Sequence, residues 1–207
     1  MVERWGLLAG VTGVTGNLLL IALYAVALPG NHSFDWTGPA NDVIGGIVST
    51  GAMIPVALAL RDLLPDGTGL RVATYAGVTA MGAIVVSSVL LVTDVIPFEV
   101  QVFVAVPAII AMFAWVGVLG GVGTRTRVLP RGLARWATLM AAGALSGTAL
   151  AGVALLLPRG SMEQYAIGGL GLLAGVPAYL AFPVWLIRLS GTLRSHLGMP
   201  GPGGARP

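Results

Sequence analysis

Apolar residues fall in six long runs, at roughly residues 6–28, 43–60, 72–93, 102–123, 136–157 and 166–187, separated by short polar connectors. Each run is close to the ~20 residues an α-helix needs to cross the hydrocarbon core of a bilayer. No charged residue stands near the middle of any run, where one would cost about 2.5–3.5 kcal/mol on the insertion scale. The pattern predicts an all-α integral membrane protein with six transmembrane helices. They form one domain over residues 1–191, followed by a Gly/Pro-rich tail at 192–207. The "AVA" at 25–27 resembles a cleavage signal. The first run is long for a signal peptide and its single preceding arginine is offset by Glu3, so the expectation is a retained span.

The runs also resemble one another. "RWGLLAGVTG" at 4–13 is echoed by "RVATYAGVTA" at 71–80 and, more weakly, by "RWATLMAAG" at 135–143; "IPVALALRD" at 54–62 is echoed by "FPVWLIRL" at 182–189. Arg61, Arg125 and Arg188 close the even-numbered runs at steps of 64 and 63 residues. The expectation is three hairpins, about 4–61, 71–125 and 135–188, related by a pseudo-threefold internal repeat of the kind that builds some transporters.

Composition agrees with the membrane assignment: 56% of the 207 residues are hydrophobic and only 9% are charged, against about 25% charged in soluble domains. The chain has no cysteine, which excludes disulfide and thiol chemistry and leaves a metal only carboxylates and two histidines. No metal and no cofactor are expected. All eleven basic residues are arginine; together with abundant Ala, Gly and Val this matches a GC-rich bacterial genome and a bacterial plasma membrane. The pI near 10 does not indicate nucleic acid, because the arginines stand at the ends of runs rather than among aromatics. Ten of the eleven fall on one side, with Arg159 alone on the other. Arginine is retained on the cytoplasmic side, so both termini are expected in the cytoplasm. The stretch "PGNHSFDWTGPAND" at 29–42 is then the first outer connector.

Candidate chemistry gathers at that outer side. Asp35, Glu99 and Glu163 are spaced by 64 and 64 residues, and under the repeat they form a carboxylate ring that draws cations. Asn41 and Asp42 stand where the second helix is expected to start and suit capping. Asp94, between Thr93 and Pro97, is expected to be half-buried, as a proton donor requires. His32 beside Asp35 and Asp42 makes only a weak metal set, and His196 lies in the basic tail. Asn17, deep in the first run, is expected to bond across to another helix. Pro55, Pro107, Pro177 and Pro183 interrupt even-numbered runs that also carry Trp115, Tyr179 and Trp185, a combination suited to a ligand pocket. Trp5, Trp36 and Trp136 read as interfacial anchors.

Three functions fit these residues. The first is binding or transport of a small apolar or cationic molecule through a site in the outer half of the membrane, with Asp35, Asp42, Asp94, Glu99, Glu163, Trp115 and Tyr179 as ligand contacts. The second is a membrane-embedded enzyme in which protonated Asp94 attacks a lipid or isoprenoid, with Asp42 or Glu99 as counter-base. The third is a structural subunit of a larger membrane complex. Expected partners are membrane lipids, a small molecule, and a second copy or another membrane protein.

Overall fold

Six helices are long and apolar enough to cross a membrane: Val2–Val26, Thr37–Leu63, Thr68–Val92, Phe98–Thr126, Arg131–Leu156 and Met162–Arg194. The computed structural model describes residues 1–27, 34–65 and 67–196. His32, Asp66 and the chain beyond His196 lie outside the described residues. In chain order the α-helices are α1 (Val2–Ala22), α2 (Thr37–Asn41), α3 (Thr50–Leu63), α4 (Thr68–Val92), α5 (Phe98–Thr126), α6 (Arg131–Leu155) and α7 (Met162–His196). The first span ends in a π-helical turn, Leu23–Ala27. The second is α2 and α3 joined without a break by a π-helical segment, Asp42–Ser49. The last helix continues to His196, past the boundary expected at 191. No strand occurs among the described residues.

Consecutive spans pack side by side and α7 returns against α1, so the six close into a ring. In each span only 28–39% of the most apolar window is buried. A single ring produces this, since every helix meets a neighbour on each flank and turns its remaining surface outward. An even number of spans brings the start of α1 and the end of α7 to one end, where Glu3 and Arg194 form an ion pair at 3.1 Å. The centre is filled by long side chains reaching inward. Phe113 of α5 meets Phe182 of α7 with ring centroids 5.4 Å apart, and Phe182 stacks on Trp185 at 5.9 Å. Trp185 donates its indole N–H to the Leu133 carbonyl of α6 at 3.0 Å. Such a bond matters where no water can satisfy a buried donor.

Lipid tails are as apolar as leucine, so helices in a bilayer associate by close backbone approach rather than by a hydrophobic drive. The closing seam shows this. Gly6, Gly10, Gly13 and Gly16 form one buried stripe on α1. A methyl group at Gly10 would stand 2.8 Å from the Pro183 carbonyl oxygen, and one at Gly13 would stand 2.9 Å from the Pro183 ring. The α6–α7 seam repeats the device: a methyl at Gly147 would lie 2.7 Å from the Gly171 carbonyl oxygen. The shared AGVT of the first and third spans does not place its glycines equivalently. Gly10 faces α7, across the ring closure, whereas Gly77 faces Trp115 of α5, its own hairpin partner.

This seam generates a paired stability test. Gly10→Ala is expected to destabilise the fold by about 1–3 kcal/mol, the usual cost of overpacking. Gly82, in mid-helix with nothing within 4 Å of an added methyl, is expected to gain about 0.5–1 kcal/mol as Gly82→Ala. Reversible unfolding of the two variants in mixed micelles measures both.

Candidate functional site

The carboxylates marked by the sequence stand at different places. Asp35 is exposed just ahead of α2, and Glu99 and Glu163 are exposed in the first turns of α5 and α7. First-turn carboxylates complement the positive end of the helix dipole. Ser161 and Gln164 finish the start of α7: the Ser161 hydroxyl accepts from the Gln164 amide at 3.1 Å, and the Gln164 side chain accepts from the Gly160 amide at 2.7 Å. The regular spacing of Glu99 and Glu163 thus coincides with two equivalent helix starts.

Asp94 departs from the expectation of half-burial: it is exposed. The α4 helix ends at Val92, and Asp94 takes the left-handed position of a Schellman turn with φ 56°. The Asp94 amide donates to Leu91 at 3.0 Å and the Val95 amide to Leu90 at 2.8 Å, the two bonds that define the motif. The side chain is therefore turned out by the backbone it terminates. Asn41 and Asp42 also depart from their expected place. The second span begins a turn earlier, at Thr37, whose hydroxyl donates to the Phe34 carbonyl at 2.7 Å. Asn41 and Asp42 consequently lie within the helix, at the passage from α to π geometry, rather than at a cap.

A small cavity with polar groups in its wall opens beside that passage. Its volume is about 50 Å³, and it lies between α1, the second span, α5 and α7. The Asn41 side-chain oxygen sits over the crossing of α1 and the π segment, 3.3 Å from where a methyl on Gly16 would stand and 3.1 Å from one on Gly45. Gly16 and Gly45 let the two backbones meet, and Gly46, on the same segment, is filled by the Ser88 side chain of α4. Squeezed between neighbours on two sides, the segment widens to i→i+5 bonding: the Thr50 hydroxyl and the Thr50 amide both donate to the Gly45 carbonyl. Ser49 donates across to the Ala9 carbonyl of α1 at 2.8 Å. Asn17 donates to the Leu180 carbonyl of α7 at 3.4 Å.

The seventh helix supplies the remaining wall. Tyr179, Phe182 and Pro183 line the cavity, with Met53 and Met112 beneath. Proline at 183 has no N–H to give the Tyr179 carbonyl, which therefore lacks its helical donor. Asp42, next in the chain to Asn41, is half-buried. Trp115 is elsewhere: it is 1% exposed, packed on Gly77 inside the core, and its indole N–H has no partner among the described residues. Of the marked residues, Tyr179 lines the cavity and Asp42 follows the lining residue Asn41 in the second span. Asp35, Asp94, Glu99 and Glu163 stand at separate exposed positions, and Trp115 fills the core.

Asn41, Gly45, Ser49 and Thr50 were not singled out by sequence as site residues. Their signal was the Gly-Gly pair and the Ser-Thr pair inside "NDVIGGIVST", an apolar run with unusually many small and polar positions. Among the described residues no group of three or more His, Asp or Glu side chains is placed to hold a metal. The chain matches no protein-family model, no curated protein and no solved structure.

The Schellman turn gives a test of Asp94. A non-glycine residue in the left-handed region is strained, so Asp94→Gly is expected to raise unfolding stability by about 1 kcal/mol. Chemical unfolding of the purified protein in micelles checks this.

Proposed function

We propose that this multi-pass membrane protein binds a small cation from the outer side of a bacterial plasma membrane, as a binding or transport component. One observation supports the reading above the others: a small cavity that carries the side chains of Asn41, Ser49 and Thr50, with half-buried Asp42 next in the chain to Asn41, inside an otherwise apolar bundle. Side-chain oxygens of Asn41, Ser49 and Thr50 are suited to replace part of a cation's hydration shell. Asp42 supplies the compensating charge. The volume of about 50 Å³ accommodates one or two waters or an ion, whereas drug-sized apolar ligands take roughly 300–1,000 Å³. The arginine distribution supports placing both termini in the cytoplasm, and the hairpin echo keeps a threefold origin as part of the proposal. An acid-catalysed enzyme is less well supported, because Asp94 is exposed on a turn rather than enclosed in a pocket.

The structural-subunit reading has its own observation. Ala142, Ser146, Ala149 and Gly152 form an exposed small-residue stripe on α6, the kind of face that packs against another helix in a bilayer.

The test is cation-dependent stability. A ligand at about one hundred times its dissociation constant stabilises by about 2.7 kcal/mol. The melting temperature of the purified protein, in sodium, potassium or N-methylglucamine chloride at equal ionic strength, is expected to rise with one small cation. The rise is expected to disappear in Asp42→Asn. Equal melting temperatures in all three salts would remove the cation reading and leave the structural-subunit reading ahead.

A further inference from the structure

A second site lies at the arginine-rich end of the bundle, remote from the polar cavity. Where α5 meets α6, a groove of about 430 Å³ is lined by Gly121, Thr124, Arg125, Arg135, Thr138 and Leu139. The two helices touch just beneath it: a methyl on Gly120 would stand 2.8 Å from the Ala134 carbonyl oxygen. Gly121, one residue on, faces open space, with nothing within 4 Å of an added methyl. Contact beside an empty glycine leaves a notch open toward the lipid.

The chemistry of the notch is divided. Thr124 donates its hydroxyl to the Gly120 carbonyl at 2.8 Å and Thr138 to the Ala134 carbonyl at 3.2 Å. Both hydroxyls are thereby satisfied within their own helices, which leaves the walls apolar. Leu139, 71% exposed, forms the outer lip. The only charged groups on the groove are the guanidiniums of Arg125 and Arg135, and neither makes an ion pair among the described residues. No acid occurs anywhere between Glu99 and Glu163, so this hairpin supplies no local counter-charge. Arg127 and Arg131, in and beside the connector, add to the same positive field.

We propose that this groove binds an anionic phospholipid. The phosphodiester would be held between Arg125 and Arg135, and an acyl chain would lie over Gly121 and Leu139. Guanidiniums pair with phosphate oxygens in a bidentate fork, and basic pockets between transmembrane helices are suited to anionic headgroups. The apolar floor directly below the charges distinguishes this amphiphile from a soluble anion. A free phosphate or a nucleotide would leave the Leu139 lip and the open Gly121 notch without a function.

Native mass spectrometry of the full chain, released from micelles containing equal phosphatidylglycerol and phosphatidylcholine, tests the proposal. Retention of phosphatidylglycerol in preference to phosphatidylcholine is expected. Each of Arg125→Gln and Arg135→Gln is expected to lower that retention about fivefold, from the typical contribution of one basic residue near an anionic surface. Gly121→Leu fills the notch while keeping both arginines and is expected to lower it as well. Arg159→Gln removes the same charge at the opposite end and is expected to leave it unchanged, and millimolar inorganic phosphate is not expected to compete. Melting temperatures confirm that each variant is folded. Equal retention of the two lipids, wild-type retention in the folded Arg125, Arg135 or Gly121 variants, an equal loss in Arg159→Gln, or displacement by phosphate would each overturn it.

Discussion

Everything in this bundle depends on how closely α1 can approach its neighbours. In water, burial of apolar surface would hold six such helices together. In a bilayer that drive is absent, and association rests on van der Waals contact, a few buried hydrogen bonds and the shape of the backbone surfaces. The glycine stripe at Gly6, Gly10, Gly13 and Gly16 gives α1 a flat side. The upper part of that side meets the π segment at Gly45, and the lower part meets α7 at Pro183 and Ser190. With side chains at Gly10 and Gly13, the first and last spans would be pushed apart and the ring would open. Glu3 and Arg194 fasten the same seam at the terminal end.

The polar cavity is a consequence of that closure. Three backbones converge on Gly13, Gly16, Gly45 and Pro183 so closely that a methyl would not fit, and the cavity lies beside that crossing. The void is wetted by polar groups. The Ser49 hydroxyl and one Asn17 N–H are committed to neighbouring carbonyls, and the side-chain oxygens of Asn41, Ser49 and Thr50 remain able to accept. The π segment serves both ends. It widens the second span where α1 and α4 press on it, and it places Asn41 on the cavity.

The spans themselves were legible because hydropathy acts one residue at a time and needs no knowledge of neighbours. The depth of Asn17 in an apolar run was also enough to infer a bond across to another helix, which is the bond it makes to Leu180. The candidate site was legible only in part. The sequence marks Asp42 as a helix cap and Tyr179 as an aromatic beside prolines, but that Asn41 and Tyr179 line one cavity depends on a packing of the second and last spans that no local pattern encodes. The start of the second span was placed too late because 34–41 is polar and contains proline, although Thr37 already begins the helix. That shift turned expected caps into interior residues. Asp94 was misjudged for a related reason: the aromatic and proline beside it suggested enclosure, whereas the backbone reverses there and carries the carboxylate outward.

Ring closure is therefore the claim to measure. The chain contains no cysteine, so a Gly6→Cys, Ser190→Cys double variant carries only the two introduced thiols. A β-carbon built on Gly6 stands 3.0 Å from that of Ser190, near the ~3.5–4.5 Å of a disulfide. Mild oxidation of the protein in native membranes, followed by intact mass measurement with a thiol-blocking label, reports the bond. Complete loss of labelling in a chain of monomer mass is the expected result. Two freely labelled thiols in the folded protein, or cross-linking only between separate chains, would contradict the closed ring and the cavity that depends on it.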